Sequence, residues 1–111
     1  MAYDEALAQR VRKLIGNEPD VTEKKMFGGL AFLVNGNMAV GASGQGGLLV
    51  RVDPEESGSL VAGTAAYPME MRGREMAGWL RVGSDDVQGD DDLAAWVERG
   101  TAYARSLPAK A

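Results

Sequence analysis

Five aspartates, Asp85, Asp86, Asp90, Asp91 and Asp92, crowd one short stretch and could in principle hold a hard cation through carboxylate oxygens. Their spacing lacks the alternating ligands, central glycine and distant glutamate of a calcium loop, and the last three suit the capped, positive start of a helix. Gly28-Gly29 and the set Gly41, Gly44, Gly46 and Gly47 invite comparison with phosphate-cradling loops. Neither is followed by Lys-Ser/Thr or opens a long helix, so a strand bulge or tight strand packing at the first and a hairpin turn at the second are the expected readings. Paired carboxylates for glycoside hydrolysis would need one acid in an apolar pocket, and no such context is visible.

The chain holds no cysteine and no histidine. This removes thiolate nucleophiles, disulfides, cysteine zinc sites, the commonest metal ligand and the usual base at neutral pH. No catalytic residue, metal or cofactor is therefore assigned. Twelve basic residues against sixteen acidic ones give a net charge of -4, the wrong sign for broad attraction to DNA phosphates. No apolar run approaches the roughly 20 residues that span a bilayer, and no secretory signal opens the chain, so a cytoplasmic location is expected.

With 45% hydrophobic and 25% charged residues, the 111-residue chain has the composition of one globular domain. Leu7, Val11, Leu14 and Ile15 form one apolar stripe of a helix from about Asp4 to Ile15, with Asp4 as capping acceptor and Gly16 as stop. Asn17 to Asp20 reads as a loop. Met26 to Val34 is aromatic, branched and too short for a helix, and reads as one strand. Asn35-Gly36 favours a type I′ turn, returning Asn37 to Ala42 antiparallel, and Leu48, Val50 and Val52 alternate in a third strand. Asp53-Pro54-Glu55-Glu56 predicts the start of a short helix ending near Gly63. Pro68 to Arg72 and Glu75 to Val82 read as a second hairpin turning at Gly73-Arg74, with Met69 and Met71 on the inner face opposite Leu80 and Val82. A final amphipathic helix runs from Asp90–Asp92 to Pro108 on Leu93, Trp96, Val97, Gly100, Ala104 and Leu107; the last residues should fray. The prediction is an α+β, two-layer sandwich in the order α-β-β-β-α-β-β-α, with a five-stranded antiparallel sheet and its helices on one face.

Alternation then assigns a surface. If Leu48, Val50 and Val52 face the helices, Leu49 and Arg51 face away, and by the same rule so do Glu70, Arg72, Trp79 and Arg81. Arginine and tryptophan dominate binding hot spots, so Leu49, Arg51, Arg72, Trp79 and Arg81 form the candidate partner-binding set. A solvated face with a Glu70–arginine pair is the plain alternative. Both alternating sets of the first strand are apolar, Met26, Leu30, Phe32 and Val34 against Phe27, Ala31 and Leu33, and a homodimer is expected to cover the second set.

Lys24-Lys25-Met26-Phe27-Gly28-Gly29, Gly36-Asn37-Met38, Leu48-Leu49-Val50-Arg51, the stretch Met71 to Trp79 and the helix with Asp92-Leu93 and Trp96 resemble the TfoX N-terminal domain family over nearly the whole chain. The resemblance implies a secretion-chaperone-like two-layer fold and a bacterial cytoplasmic protein. Full-length TfoX (Sxy) proteins regulate natural competence together with the cyclic-AMP receptor protein and carry a second, helical C-terminal domain; this chain is read as the N-terminal domain standing alone. A non-enzymatic module acting through protein contacts is the leading expectation. A DNA-associated accessory protein, using Arg10, Arg12, Lys13, Lys24 and Lys25, is the second. A small-molecule enzyme or carrier using carboxylates, arginines and tyrosines such as Tyr67 is the third.

Overall fold

Asp4 opens the first helix as its spacing requires, its Oδ1 accepting the Leu7 N–H at 3.1 Å. The computed structural model describes residues 4–15, 18–26, 28–44 and 46–109. Their elements run α1 (Glu5–Ile15), β1 (Val21–Met26), β2 (Gly29–Val34), β3 (Asn37–Ala42), β4 (Leu48–Arg51), α2 (Ser57–Gly63), β5 (Tyr67–Met71), β6 (Arg74–Val82) and α3 (Asp90–Ser106). A 3₁₀ turn at Ser84–Val87, absent from the sequence reading, buries Val87 ahead of α3. Gly16 and Phe27, and the side chains of Met26 and Met71, lie outside the described residues.

The strands lie in the order β1-β2-β3-β4-β6-β5, every neighbour antiparallel. The α+β sandwich and its element order are as expected, but the sheet has six strands and not five. The expected single strand from Met26 to Val34 is broken: Met26 pairs with Gly29, and Gly28, at φ +75°, sits in the turn between β1 and β2. The missed strand, Val-Thr-Glu-Lys-Lys-Met, exposes Thr22, Glu23, Lys24 and Lys25 at the sheet edge. Charged edge strands discourage pairing with other chains, and such a segment carries little hydrophobic signal. Gly29 itself packs tightly, since a Cβ there would clash with the Ala42 carbonyl oxygen.

Asn35 and Gly36 take φ of +52° and +82°, the expected type I′ geometry. Leu30, Phe32, Val40, Leu48, Val50, Leu80 and Val82 then face α1 and α3, joining Leu7, Val11, Leu93 and Val97 in one core. The register of β2 on β3 shifts after Phe32, which turns Ala39 as well as Val40 toward the helices, and Ala39 packs with Val34 and Ala104 of α3.

Other boundaries moved. Asp53 Oδ1 accepts the Glu55 N–H at 2.9 Å and so closes a turn, which delays α2 to Ser57. Leu14, expected in the core, is 43% exposed. The second hairpin turns at Arg72-Gly73, both at positive φ, because Met71 pairs with Arg74. Met69 does not face the helices with Leu80: a register shift between Pro68 and Glu70 turns it to the opposite face. The C-terminal end is partly held, since buried Asn37 donates through Nδ2 to the Pro108 carbonyl oxygen at 2.9 Å.

Candidate functional site

Two strands carry the chemistry of the outer face, the side of the sheet away from the helices. In β4 and β6 Arg51 lies directly opposite Trp79, and Leu49 directly opposite Arg81. Leu49 and Trp79 pack with Ala31, Leu33, Met38 and Met69 in a cluster separate from the helix-side core. Four of the five expected surface residues are thus brought together. Arg72 is not among them: it occupies the exposed hairpin tip at φ +53°, one residue beyond the strand in which alternation had placed it. Glu70 opposes Glu75, and among the described residues no ion pair joins it to an arginine.

Each of the two arginines is held by a neutral neighbour. The Arg51 guanidinium carbon lies 5.2 Å from the Trp79 ring centre and 5.8 Å from that of Tyr103 on α3, so it links the sheet margin to the last helix by two cation–π contacts. Arg81 donates through Nη1 to the hydroxyl of the buried Ser43 at 2.8 Å. Beside Arg81, and not reaching Arg51, lies a small recess lined by Ala31, Met38, Gly41, Ser43, Leu49 and Met69. Gly41 pairs with Ala31 on one side and Leu49 on the other, and Met38 Cε lies 3.1 Å from where a Cβ at Gly41 would stand, so Met38 already fills that space.

Sequence reasoning missed Ser43, Tyr103, Met38 and Met69 as members of this surface. Ser43 and Tyr103 carry no local signal, since each joins through a long-range contact. Ala31, Leu49, Met38 and Met69 are 1%, 5%, 7% and 7% exposed within the single chain. The chain therefore supplies much of the cover that a second subunit was expected to give. The largest exposed apolar side chains among the described residues are Leu14 and Tyr67.

Charges elsewhere are spent on internal pairs. Arg12 grips Glu23 through two bonds of 2.6 and 2.7 Å, tying α1 to β1, and Arg105 grips Asp20 at 3.0 and 3.3 Å, tying α3 to the turn before β1. Arg10 reaches Asp90 at 3.1 Å and the Gln88 carbonyl oxygen at 2.9 Å. Hydrogen bonds from Arg105, then its charge, hold the Asp20 carboxyl below its ordinary value, and Arg12 does the same for Glu23 against a smaller opposing effect of burial. A depressed folded pKa adds stability that is present above the unfolded pKa and lost as pH falls through the folded one. The melting-temperature deficit of Glu23→Gln is accordingly expected to be small at neutral pH and to vanish in strong acid. A deficit that grows on acidification would contradict this pairing.

The aspartate cluster holds no metal-type arrangement: among the described residues no three acidic groups converge as ligands. Gly89, and no aspartate, is the N-cap of α3; Asp90, Asp91 and Asp92 fill its first turn, where the helix dipole favours them. No helix among the described residues is long and apolar enough to cross a membrane.

These features define an α+β sandwich in which Leu49, Trp79 and Arg81 lie on the sheet face away from the helices. The chain belongs to the TfoX N-terminal domain family, whose sequence profile matches residues 13–104. A search of curated proteins finds no match.

Proposed function

We propose that this chain is a non-enzymatic regulatory module that docks a protein partner on the outer sheet face formed by Leu49, Arg51, Trp79 and Arg81. The observation that carries this reading is the register of β4 on β6, which sets two arginines, a tryptophan and a leucine in one contiguous block. Aromatic and arginine anchors beside apolar side chains are the composition of binding hot spots.

Two further observations support it. Without histidine or cysteine, proton transfer at neutral pH would fall to carboxylates, lysines or tyrosines. Asp20 and Glu23 titrate below their ordinary values beside arginines, which is the behaviour of structural ion pairs and not of proton carriers. Of the five basic residues on which a DNA-binding reading rests, Arg10 and Arg12 are already engaged with Asp90 and Glu23.

Affinity capture from native cytoplasm followed by mass spectrometry tests the surface. A Trp79→Ala, Arg81→Ala double variant is expected to retain at most about a tenth of the partner bound by the unaltered chain, as loss of a hot spot implies. Arg72→Ala, at the hairpin tip, should capture it undiminished. Equal capture by a double variant that keeps its circular dichroism would remove the proposed face.

A further inference from the structure

We infer that α2 is a flap: it opens while the rest of the domain stays folded, and in opening it uncovers the helix-side face of the β5–β6 hairpin at Leu80. This motion is independent of the docking reading above, which concerns the other side of the sheet.

The residues of α2 make it a weak helix. It spans 7 residues, Ser-Gly-Ser-Leu-Val-Ala-Gly, and helices shorter than about 12–15 residues are marginal in water without packing. Gly58 and Gly63 sit where a Cβ would meet nothing within 4 Å, so no close approach calls for glycine at either position. Inside a helix each glycine shifts the balance toward the open chain by about fivefold relative to alanine. The N-cap residue, Glu56, makes no side-chain bond to the first turn, and neither an acid in that turn nor a base in the last one complements the helix dipole.

Packing does not make up the difference. Leu7, Ala8, Val11 and Ile15 of α1 are buried, as are Leu93, Val97, Gly100 and Ala104 of α3, whereas α2 buries no residue. Its Leu60 and Val61 enter the core only in part. An open cleft lined by Ser57, Val61, Pro68, Ala77 and Leu80 runs between α2 and the hairpin, so Val61 lacks packing partners on that side.

The flap also has fixed ends. Val52 is buried and donates its N–H to the Gly78 carbonyl oxygen at 2.8 Å; Ala66 is buried and donates its N–H to Thr64 Oγ1 at 3.1 Å. Between these anchors no residue from 53 to 65 is fully buried. The ladders of β4 on β6 and of β5 on β6 lie outside that stretch and survive its detachment. A segment with so few buried apolar contacts opens at a lower free energy than the whole domain.

Hydrogen exchange read residue by residue by NMR, at several urea concentrations below the unfolding transition, tests the flap. Relative to an unfolded chain, the amides of Leu60, Val61 and Ala62 are expected to exchange at least about a hundredfold faster than those of Val50 and Val97, at rates that urea leaves unchanged, while the Val50 and Val97 rates climb with urea as global unfolding requires. Gly58→Ala combined with Gly63→Ala should slow exchange in α2 by about tenfold. Because the chain has no cysteine, Leu80→Cys introduces a single thiol, whose alkylation at a rate indifferent to urea would report the uncovering. Protection and urea dependence in α2 equal to those of Val97 would show that it opens only with the whole domain and would overturn the flap. Exchange at the unfolded-chain rate, with or without the two alanines, would overturn it as well, since no closed state would then exist. A thiol at position 80 that reacts only as the domain unfolds would contradict the uncovering.

Discussion

Phe32→Ala is expected to lower the free energy of unfolding by about 3–5 kcal/mol, the usual cost of emptying a buried aromatic site. Phe32 is 1% exposed in the middle of β2, faces the helix-side core and lies opposite Val40 of β3. No larger side chain among the described residues is fully buried. Domains of this size are stable by only about 5–15 kcal/mol, so a loss of this order removes a large part of the total. The adjacent Leu33 turns to the other face and is only half-buried there. Leu33→Ala should therefore cost clearly less in the same urea titration. Equal losses at the two positions would contradict the assignment of faces on which the docking surface depends.

Gly100→Ala sets two effects against each other. In an exposed helix interior the change stabilises by about 1 kcal/mol. At this position a Cβ would lie 2.6 Å from the Ala39 carbonyl oxygen and 2.7 Å from Val40 Cγ1. Ala39 is backbone in the irregular stretch of β3, so α3 has to retreat, and overpacking of this kind costs about 1–3 kcal/mol. The clash should win. Because Tyr103 rides on α3, the same retreat should loosen its contact with Arg51, which would be visible as altered tyrosine and tryptophan fluorescence. A more stable Gly100→Ala protein would show that helix and sheet are not in such close contact.

Much of this architecture was legible where local chemistry and packing agree. Asn35-Gly36 names its own turn, and that turn fixes the register of β2 on β3 as far as Leu33, after which one shift intervenes. The stripe from Leu93 to Ala104 likewise predicts α3 within a residue or two. Leu49, Arg51, Trp79 and Arg81 were legible as one surface because both of their strands were aligned with the correct parity, and strand alternation then does the rest. The failures are equally physical. An edge strand reading Val-Thr-Glu-Lys-Lys-Met buries little, so hydrophobic periodicity passes over it. Arg72 was misplaced because a left-handed arginine is uncommon, which made Gly73-Arg74 the more natural turn from sequence, yet Arg72-Gly73 is the pair that turns. Met69 changed faces through a single register shift that leaves no mark in composition. Ser43, Tyr103 and the bond from Asn37 to Pro108 all depend on residues distant in sequence, which periodicity does not reach.

Site-specific photocrosslinking in living cells addresses the docking face most directly. A photoreactive benzoylphenylalanine in place of Tyr67, which lies exposed directly opposite Arg81, is compared with one in place of Ala95 on the exposed side of α3. A defined protein adduct from position 67, lost when Trp79 and Arg81 are also changed to alanine, together with none from position 95, is the expected result. The same adduct forming from position 95 and not from position 67 would place the partner on the helices and contradict a binding surface on the open side of the sheet.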